Sequence, residues 1–370
     1  MKIVFLSNYF NHHQKPFSDE MYSLIGEDYC FIETKQMEAN RIALGWQMET
    51  LPSYVFRTYS DFKECKKKIN DADVVITGSA PEYLLSYRKI KGKIIIRYSE
   101  RPFKKIPSKI NFLKRFLIEK IFNSLWNPIY LLCASAYTAE DYKQLHLFMD
   151  KTYKWGYFPA LKTYDSAENL ISRKKRKSIL WVARFIDWKH PEIMIQLALK
   201  LQRMNIPFNI TMIGCGELEN EIKQSVKSNG LDDTFSFVGS VPPEIVRDYM
   251  EQSEIFISTS DRNEGWGAVI NEAMNSCCAV IANKQIGAAP FLIENGKNGI
   301  FYETFDELCE NVAKLLENDE CRYSLSHSAY TTICNLWNPK VAAKNCLVLC
   351  DSLLKNGTCD VFVDGPCSRC

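Results

Sequence analysis

No apolar stretch in the chain approaches the ~20 residues that a membrane-spanning helix needs. The first ten residues hold one lysine and an apolar run too short for a signal peptide, and they read as a buried strand. Internal repeats and low-complexity tracts are also lacking, which excludes solenoids and fibrous chains. Neither sign of charge dominates: 46 Lys and Arg stand against 44 Asp and Glu. No nucleic-acid-reading motif accompanies that balance, so nucleic acid is not an expected partner. A dinucleotide fingerprint is absent too, since Gly214-Cys215-Gly216-Glu217 lacks the third glycine.

What is present describes an ordinary globular chain. Its 370 residues, 46% hydrophobic and 24% charged, suggest two domains with separate cores. The 14 cysteines are scattered and mostly lie within apolar patterns, as at Cys133, Cys215 and Cys346, which reads as reduced core thiols in a cytoplasmic protein. Cys367 and Cys370 have metal-ligand spacing, but a single C-x-x-C is a weak signal and no metal is expected. Asp71-Ala72-Asp73 leads into a strand rather than following one, so it is a D-x-D in spelling only.

Residues 1–170 carry 25 Lys and Arg against 19 Asp and Glu, and residues 171–370 carry 21 against 25. Seven cations between Arg101 and Lys120 face only Glu119. Residues 110–126 interleave large apolar side chains with Lys114, Arg115 and Lys120, an amphipathic basic helix. Residues 101–126 therefore read either as a surface for an anionic membrane, at the inner face of the bilayer, or as an ordinary helix packed on a sheet.

Apolar runs rich in β-formers alternate with helical patterns along the whole chain, which predicts parallel sheets covered by helices. The alternation pauses at SRKKRKS, residues 172–178, read as a solvated linker. The result is two doubly wound α/β domains, 1–172 and 173–335, with a cleft between them. Residues 336–356 form a helix packing back toward the first domain, and 357–370 are a loosely ordered tail.

Ligands of such sheets bind beyond the carboxyl ends of the strands. One loop there reads Asp261-Arg262-Asn263-Glu264-Gly265-Trp266-Gly267 and opens a helix bearing Glu272. Its glycines admit close backbone approach, and the helix start suits a phosphate. Glu264 and Glu272 suit sugar hydroxyls, although two such carboxylates are commonplace on solvated helices. Arg184 and Lys189, after an earlier strand, can clamp a diphosphate and stabilise a departing nucleotide, or be two surface cations. In the first half, His12 and His13 after strand one can orient or deprotonate an acceptor, and Glu100 with Arg101 follows a later strand.

In order, these loops resemble the family-four retaining glycosyltransferases, or glycosyl transferases group one, over residues 178–318. The resemblance rests on Arg184-x4-Lys189, Gly214-x-Gly216, Phe237-Val238-Gly239 and Glu264-x7-Glu272. It extends to Glu272-Ala273-Met274, the Ala279–Ala282 run, and Ile293 through Gly296, Asn298 and Gly299. It implies a GT-B fold of two facing Rossmann-like domains, with acceptor in the first and nucleotide-sugar donor in the second. It implies Arg184 and Lys189 on the donor phosphates, Glu272 on the ribose and Glu264 on the transferred sugar. Gly214, Gly216, Val238, Gly239, Gly265, Trp266 and Gly267 would line the donor, with backbone at Gly265 and Trp266 near the diphosphate. Retention of configuration and no required metal or cofactor are further implications.

Departures from the pattern exist. Trp266 replaces a usual phenylalanine, Gly287-Ala288-Ala289-Pro290 lacks the usual acidic residue, and no histidine stands near Glu100. The Asn8–Gln14 opening resembles a subgroup acting in bacterial surface-polysaccharide synthesis. The expected function is transfer of a sugar from a nucleotide diphosphate donor to a glycan or lipid-linked acceptor. A nucleotide-sugar epimerase and a non-catalytic nucleotide-sugar-binding subunit are the competing readings.

Overall fold

The computed structural model describes residues 1–38, 48, 50–105, 109–123 and 128–370. They form two compact units, Met1–Ala160 with Trp337–Cys370, and Leu161–Leu336. The chain has the GT-B fold class: each unit is a parallel sheet with helices.

The first sheet contains β1 (Ile3–Ser7), β2 (Tyr29–Glu33), β3 (Val55–Arg57), β4 (Val74–Thr77), β5 (Ile95–Ser99), β6 (Ile129–Cys133) and β7 (Thr152–Lys154). Their order is β3-β2-β1-β4-β5-β6-β7, all parallel. Every residue of β1, β2, β4 and β6 is buried, the expected result of covering both faces with helices. Helix Lys15–Ile25 packs against helix Pro339–Asn356, whose start is capped by Asn338 accepting from the Val341 amide at 3.0 Å.

The second sheet contains β8 (Lys175–Val182), β9 (Asn209–Ile213), β10 (Phe235–Gly239), β11 (Ser253–Ser258), β12 (Ala279–Asn283) and β13 (Ile300–Tyr302), in the order β10-β9-β8-β11-β12-β13, again all parallel. Its core joins Trp181, Met212, Ile255 and Ile281 from the sheet to Leu197 and Leu201 of helix Glu192–Arg203 and Leu315 and Leu316 of helix Phe305–Glu317.

In each unit the winding reverses beside the first strand. β1 lies between β2 and β4, and β8 lies between β9 and β11. Loops leaving the carboxyl ends of β1, β4, β8 and β11 therefore border the crevices where open α/β sheets hold ligands.

Two expectations fail. SRKKRKS is not a linker: Lys175–Ser178 begin β8, and the units divide at Ala160/Leu161 rather than at 172/173. The charges misled because most of them have partners. Buried Lys174 donates to the carbonyls of Met250 (2.8 Å), Glu251 (3.2 Å) and Ser276 (2.9 Å), the spent ends of two helices. Arg176 pairs with Asp319 at 2.6 Å. The tail is not loose either. It runs antiparallel beside β7, with Lys154 N–H donating to the Ser368 carbonyl at 2.7 Å and Cys367 N–H to the Lys154 carbonyl at 2.8 Å.

Candidate functional site

In the second unit the ends of β8, β9 and β10 are bonded together by backbone. Ala183 N–H donates to Ile213 at 3.1 Å, Phe185 N–H to Cys215 at 3.0 Å and Gly214 N–H to Gly239 at 2.9 Å. Such close approach requires glycine. At Gly214, with φ +134°, a Cβ would lie 1.9 Å from the Ala183 carbonyl oxygen, and at Gly216 it would lie 2.4 Å from that of Phe185. The Gly-x-Gly turn thus holds up the loop carrying Arg184 and Lys189. β10 ends in a register shift between Phe237 and Gly239, around Val238, and Gly239 has φ +80°.

Across the reversal point, the loop after β11 meets the loop after β8. Trp181 Nε1 donates to Thr259 Oγ1 at 2.8 Å, and Thr259 Oγ1 donates to the Lys189 carbonyl. Asp261 N–H reaches the Trp188 carbonyl at 3.1 Å. Lys189 Nζ forms an ion pair with Glu264 Oε2, to which Ser260 Oγ also donates at 3.3 Å. Arg184 is exposed, and its guanidinium lies 5.7 Å from the Trp188 ring centroid, with Lys189 Nζ 4.4 Å from the same ring. The structure therefore joins Arg184, Lys189 and Glu264 around Trp188.

Gly265, Trp266 and Gly267 are buried at the start of helix Ala268–Asn275. Gly267 has φ +93°, and a Cβ there would lie 2.8 Å from Ile286 Cγ2. The Trp266 indole is in the core, donating to Asn271 Oδ1 at 2.8 Å, so only its backbone can meet a ligand. Burial pushes the Glu272 carboxyl up to about 6 against the opposing pull of Arg247. His190 is raised by its hydrogen bond to Glu192 (3.0 Å), with Asp261 adding to it.

In the first unit, His12, His13 and Glu100 gather at the carboxyl edge. The rings of His12 and His13 lie 4.0 Å apart, and His13 stacks on Tyr157 at 5.7 Å. Tyr157 Oη donates to Glu100 Oε1 at 2.6 Å, and Lys104 Nζ to Glu100 Oε2 at 2.7 Å. Burial, reinforced by His12, lowers His13 to about 3. Such an imidazole is neutral at pH 7 and too weak a base to take a proton, so the expectation of a base falls to His12 alone.

Arg101 departs from the expectation more sharply. It is buried, bonded to Asp141 at 3.1 and 3.2 Å and stacked 4.7 Å from the Tyr137 ring. Asp141 also accepts from Phe103 N–H at 3.2 Å, so this pair braces the β5 loop rather than meeting an acceptor.

Trp188, Tyr157 and Glu33 escape a reading of the sequence. Trp188 stands inside the Arg-x4-Lys spacing, which was the available signal. Glu33 is buried at the end of β2 and accepts from Phe10 N–H (3.3 Å), Arg57 Nε (3.1 Å) and Tyr59 Oη (2.9 Å), fixing the loop that carries the histidines. Among the described residues no group of three or more His, Cys, Asp or Glu is arranged to hold a metal ion.

The family described as glycosyl transferases group 1 matches residues 165–332. The amylovoran biosynthesis glycosyltransferase AmsK of Erwinia amylovora is 30% identical over 126 residues, 33% of this chain and 31% of that protein. An uncharacterized glycosyltransferase of Methanocaldococcus jannaschii is 30% identical over 151 residues, 40% of this chain and 41% of its own. The chain spans less than half the length of these curated relatives. Among solved structures, HepE of Anabaena in complex with UDP is 16% identical, covers 95% of this chain and all of its own, and superposes with a TM-score of 0.69. TarM covers 95% of this chain and 99% of its own, at 11% identity and a TM-score of 0.70. Those likenesses show the fold. Residues 165–332, with the loops of Arg184, Lys189 and Glu264 that they contain, belong to the glycosyl transferases group 1 family.

Proposed function

We propose that this protein is a retaining glycosyltransferase moving a sugar from a nucleotide diphosphate sugar to a glycan or lipid-linked acceptor. The observation that carries the reading is the meeting of Arg184, Lys189 and Glu264 at the reversal point of the second sheet. The donor's diphosphate takes Lys189 from Glu264 and adds Arg184. Glu264 turns to hydroxyls of the transferred sugar, and Glu272 accepts from the ribose. The acceptor oxygen bonds to the anomeric carbon on the face that the diphosphate leaves, and the acceptor proton passes to the departing phosphate. The two cations stabilise the developing charge, so no metal or cofactor is required. HepE binds UDP and UDP-glucose, which supports a donor of that class.

His12 and Glu100 are the acceptor side of this reading. AmsK is named for amylovoran biosynthesis, which supports a role in bacterial surface polysaccharide. No helix of the described residues is long and apolar enough to cross a membrane. Helix Lys109–Asn123 nonetheless leaves Ile110, Leu113, Leu117, Ile118 and Ile121 more than half exposed, with exposed Lys114 among them. We assign this stripe to the cytoplasmic face of an anionic membrane, as a peripheral contact. Residues 106–108 and 124–126 of the expected surface lie outside the described residues.

The deciding experiment is a thermal-shift screen against uridine, guanosine, adenosine and thymidine diphosphates and their sugar conjugates. A rise with one base that Arg184→Ala diminishes supports the donor site. No rise with any of them, from folded protein, would sink the reading. Flotation with phosphatidylglycerol vesicles tests the membrane contact, which Leu113→Glu with Leu117→Glu should abolish.

A further inference from the structure

The segment after helix Pro339–Asn356 is held by an unusual interior. Val361 and Val363, its two large aliphatic residues, are exposed, whereas Cys359 and Cys367 are buried. Beneath them lie Cys346 and Cys350, one turn apart on the helix and both fully buried. The Cys346 thiol adjoins those of both Cys350 and Cys367. Asn345, beside Cys346, donates to the Pro366 carbonyl at 2.9 Å, which seats the strand of Cys367 on the helix. Cys367 holds φ +69°, an uncommon conformation for a residue with a Cβ. In small segments with little apolar surface, order is commonly supplied by a covalent staple.

We propose that Cys346 and Cys367 are a redox pair whose disulfide staples the tail to helix Pro339–Asn356. This pair joins two segments packed on each other. Cys346 and Cys350 instead project in parallel from one helix, the poorer geometry for a bridge. The two thiols lose two protons and two electrons to a low-molecular-weight disulfide, which is reduced to two thiols. The adjoining Cys350 and Cys367 thiols draw the Cys346 thiol below its usual range against the burial that raises it, which favours it as the attacking thiolate. The oxidant enters when the tail lifts. Lifting breaks the two backbone bonds to Lys154 (2.7 and 2.8 Å) and the partly exposed pairs Lys154 to Asp364 (2.7 Å) and Arg369 to Asp360 (2.6 Å), and it leaves the pairing of β6 with β7 intact. In a reducing compartment such a pair is reversible rather than permanently closed.

The test uses the full chain, reduced, then treated with oxidised glutathione, quenched with N-ethylmaleimide and digested without reductant. A peptide carrying Cys346 linked to one carrying Cys367 is expected. The melting temperature should rise by about 5–10 °C and fall back with dithiothreitol. Cys367→Ser and Cys346→Val should each lose the link and the rise, whereas Cys350→Ser keeps both. The melting temperatures of the reduced variants separate loss of the staple from loss of the fold. The proposal is overturned by absence of a crosslink, by a link between other cysteines, or by one zinc per purified chain that Cys346→Val removes.

Discussion

Glu264→Gln keeps the shape of the side chain and removes its charge, and it should move binding and turnover in opposite directions. Without donor, Lys189 is committed to Glu264, with both side chains mostly shielded at 12% and 16% exposure. In the proposed function a diphosphate takes Lys189 from that carboxylate. The net worth of a partly shielded pair is about 1 kcal/mol once desolvation is set against attraction, so its prior loss should tighten nucleoside diphosphate binding about fivefold. Removing the negative charge beside an incoming polyanion acts in the same direction. Transfer should slow, because an ionised carboxylate bonded to a sugar hydroxyl contributes about 1.5–3 kcal/mol, or roughly 10- to 150-fold in kcat.

Isothermal titration with the nucleotide found by the thermal-shift screen measures the first effect, and single-turnover transfer or donor hydrolysis measures the second. Lys189→Met is the complement and should lose both affinity and rate. Weaker nucleotide binding by Glu264→Gln, or turnover unchanged from wild type, would refute the assignment. A merely structural ion pair predicts lower melting temperature for both variants with no opposed change in binding.

Three further outcomes follow from other residues. In the proposed function Glu272, raised to about 6, must be ionised to accept from ribose hydroxyls, so nucleotide affinity should fall below pH 6 in the wild type. Glu272→Gln should bind more weakly, without that added decline. His13 is lowered to about 3 while its unfolded form titrates near 6.5, so the unfolded chain binds the extra proton between those values. Stability should therefore fall as pH drops below 6.5, by about 2 kcal/mol at pH 5, and calorimetry of His13→Gln should show that part of the decline removed. Arg88, buried in the first unit, donates to the carbonyls of Ile69 (2.9 Å), Ala72 (2.7 Å), Asp73 (2.9 Å) and Ile94 (2.6 Å). Arg88→Met strands those acceptors, and thermal melts should show a loss of about 3–5 kcal/mol with nucleotide affinity unchanged.

The second unit was far more legible in the sequence than the first, and the reason is physical. Its loops depend on backbone touching backbone at Gly214 and Gly216 and on a positive φ against the Ile286 side chain at Gly267, which only glycine permits, so the requirement is written into the chain at fixed spacings. The first unit assembles its edge from side chains on separate strands. Tyr157 follows β7 and reaches Glu100 after β5, a contact with no local pattern to announce it. Arg101 looked available because an arginine beyond a strand is usually wet, and only the fold brings Asp141 beneath it. The basic run at 172–178 failed similarly, since charge density says nothing of helix-end carbonyls waiting for Lys174. Strand alternation needs no such knowledge, and it located both sheets.

A carboxylate beside the proposed diphosphate site is unfavourable unless it has work in each state. Glu264 is held by Lys189 and Ser260 in the free protein, so neither the cation nor the anion is left shielded and unpaired. Arg184 is exposed beside Trp188, free of that constraint, and it can meet the polyanion first. The two cations should therefore differ in kind. Arg184 would set the approach of the nucleotide and its dependence on salt, whereas Lys189 is released only once a stronger anion arrives. Raising ionic strength should consequently weaken nucleotide binding less in Arg184→Ala than in wild type. Lys189→Met should keep most of the wild-type salt dependence of the association rate. Equal salt dependence in wild type and Arg184→Ala would mean that the exposed cation plays no part in capture, and the division of labour between the two would fall.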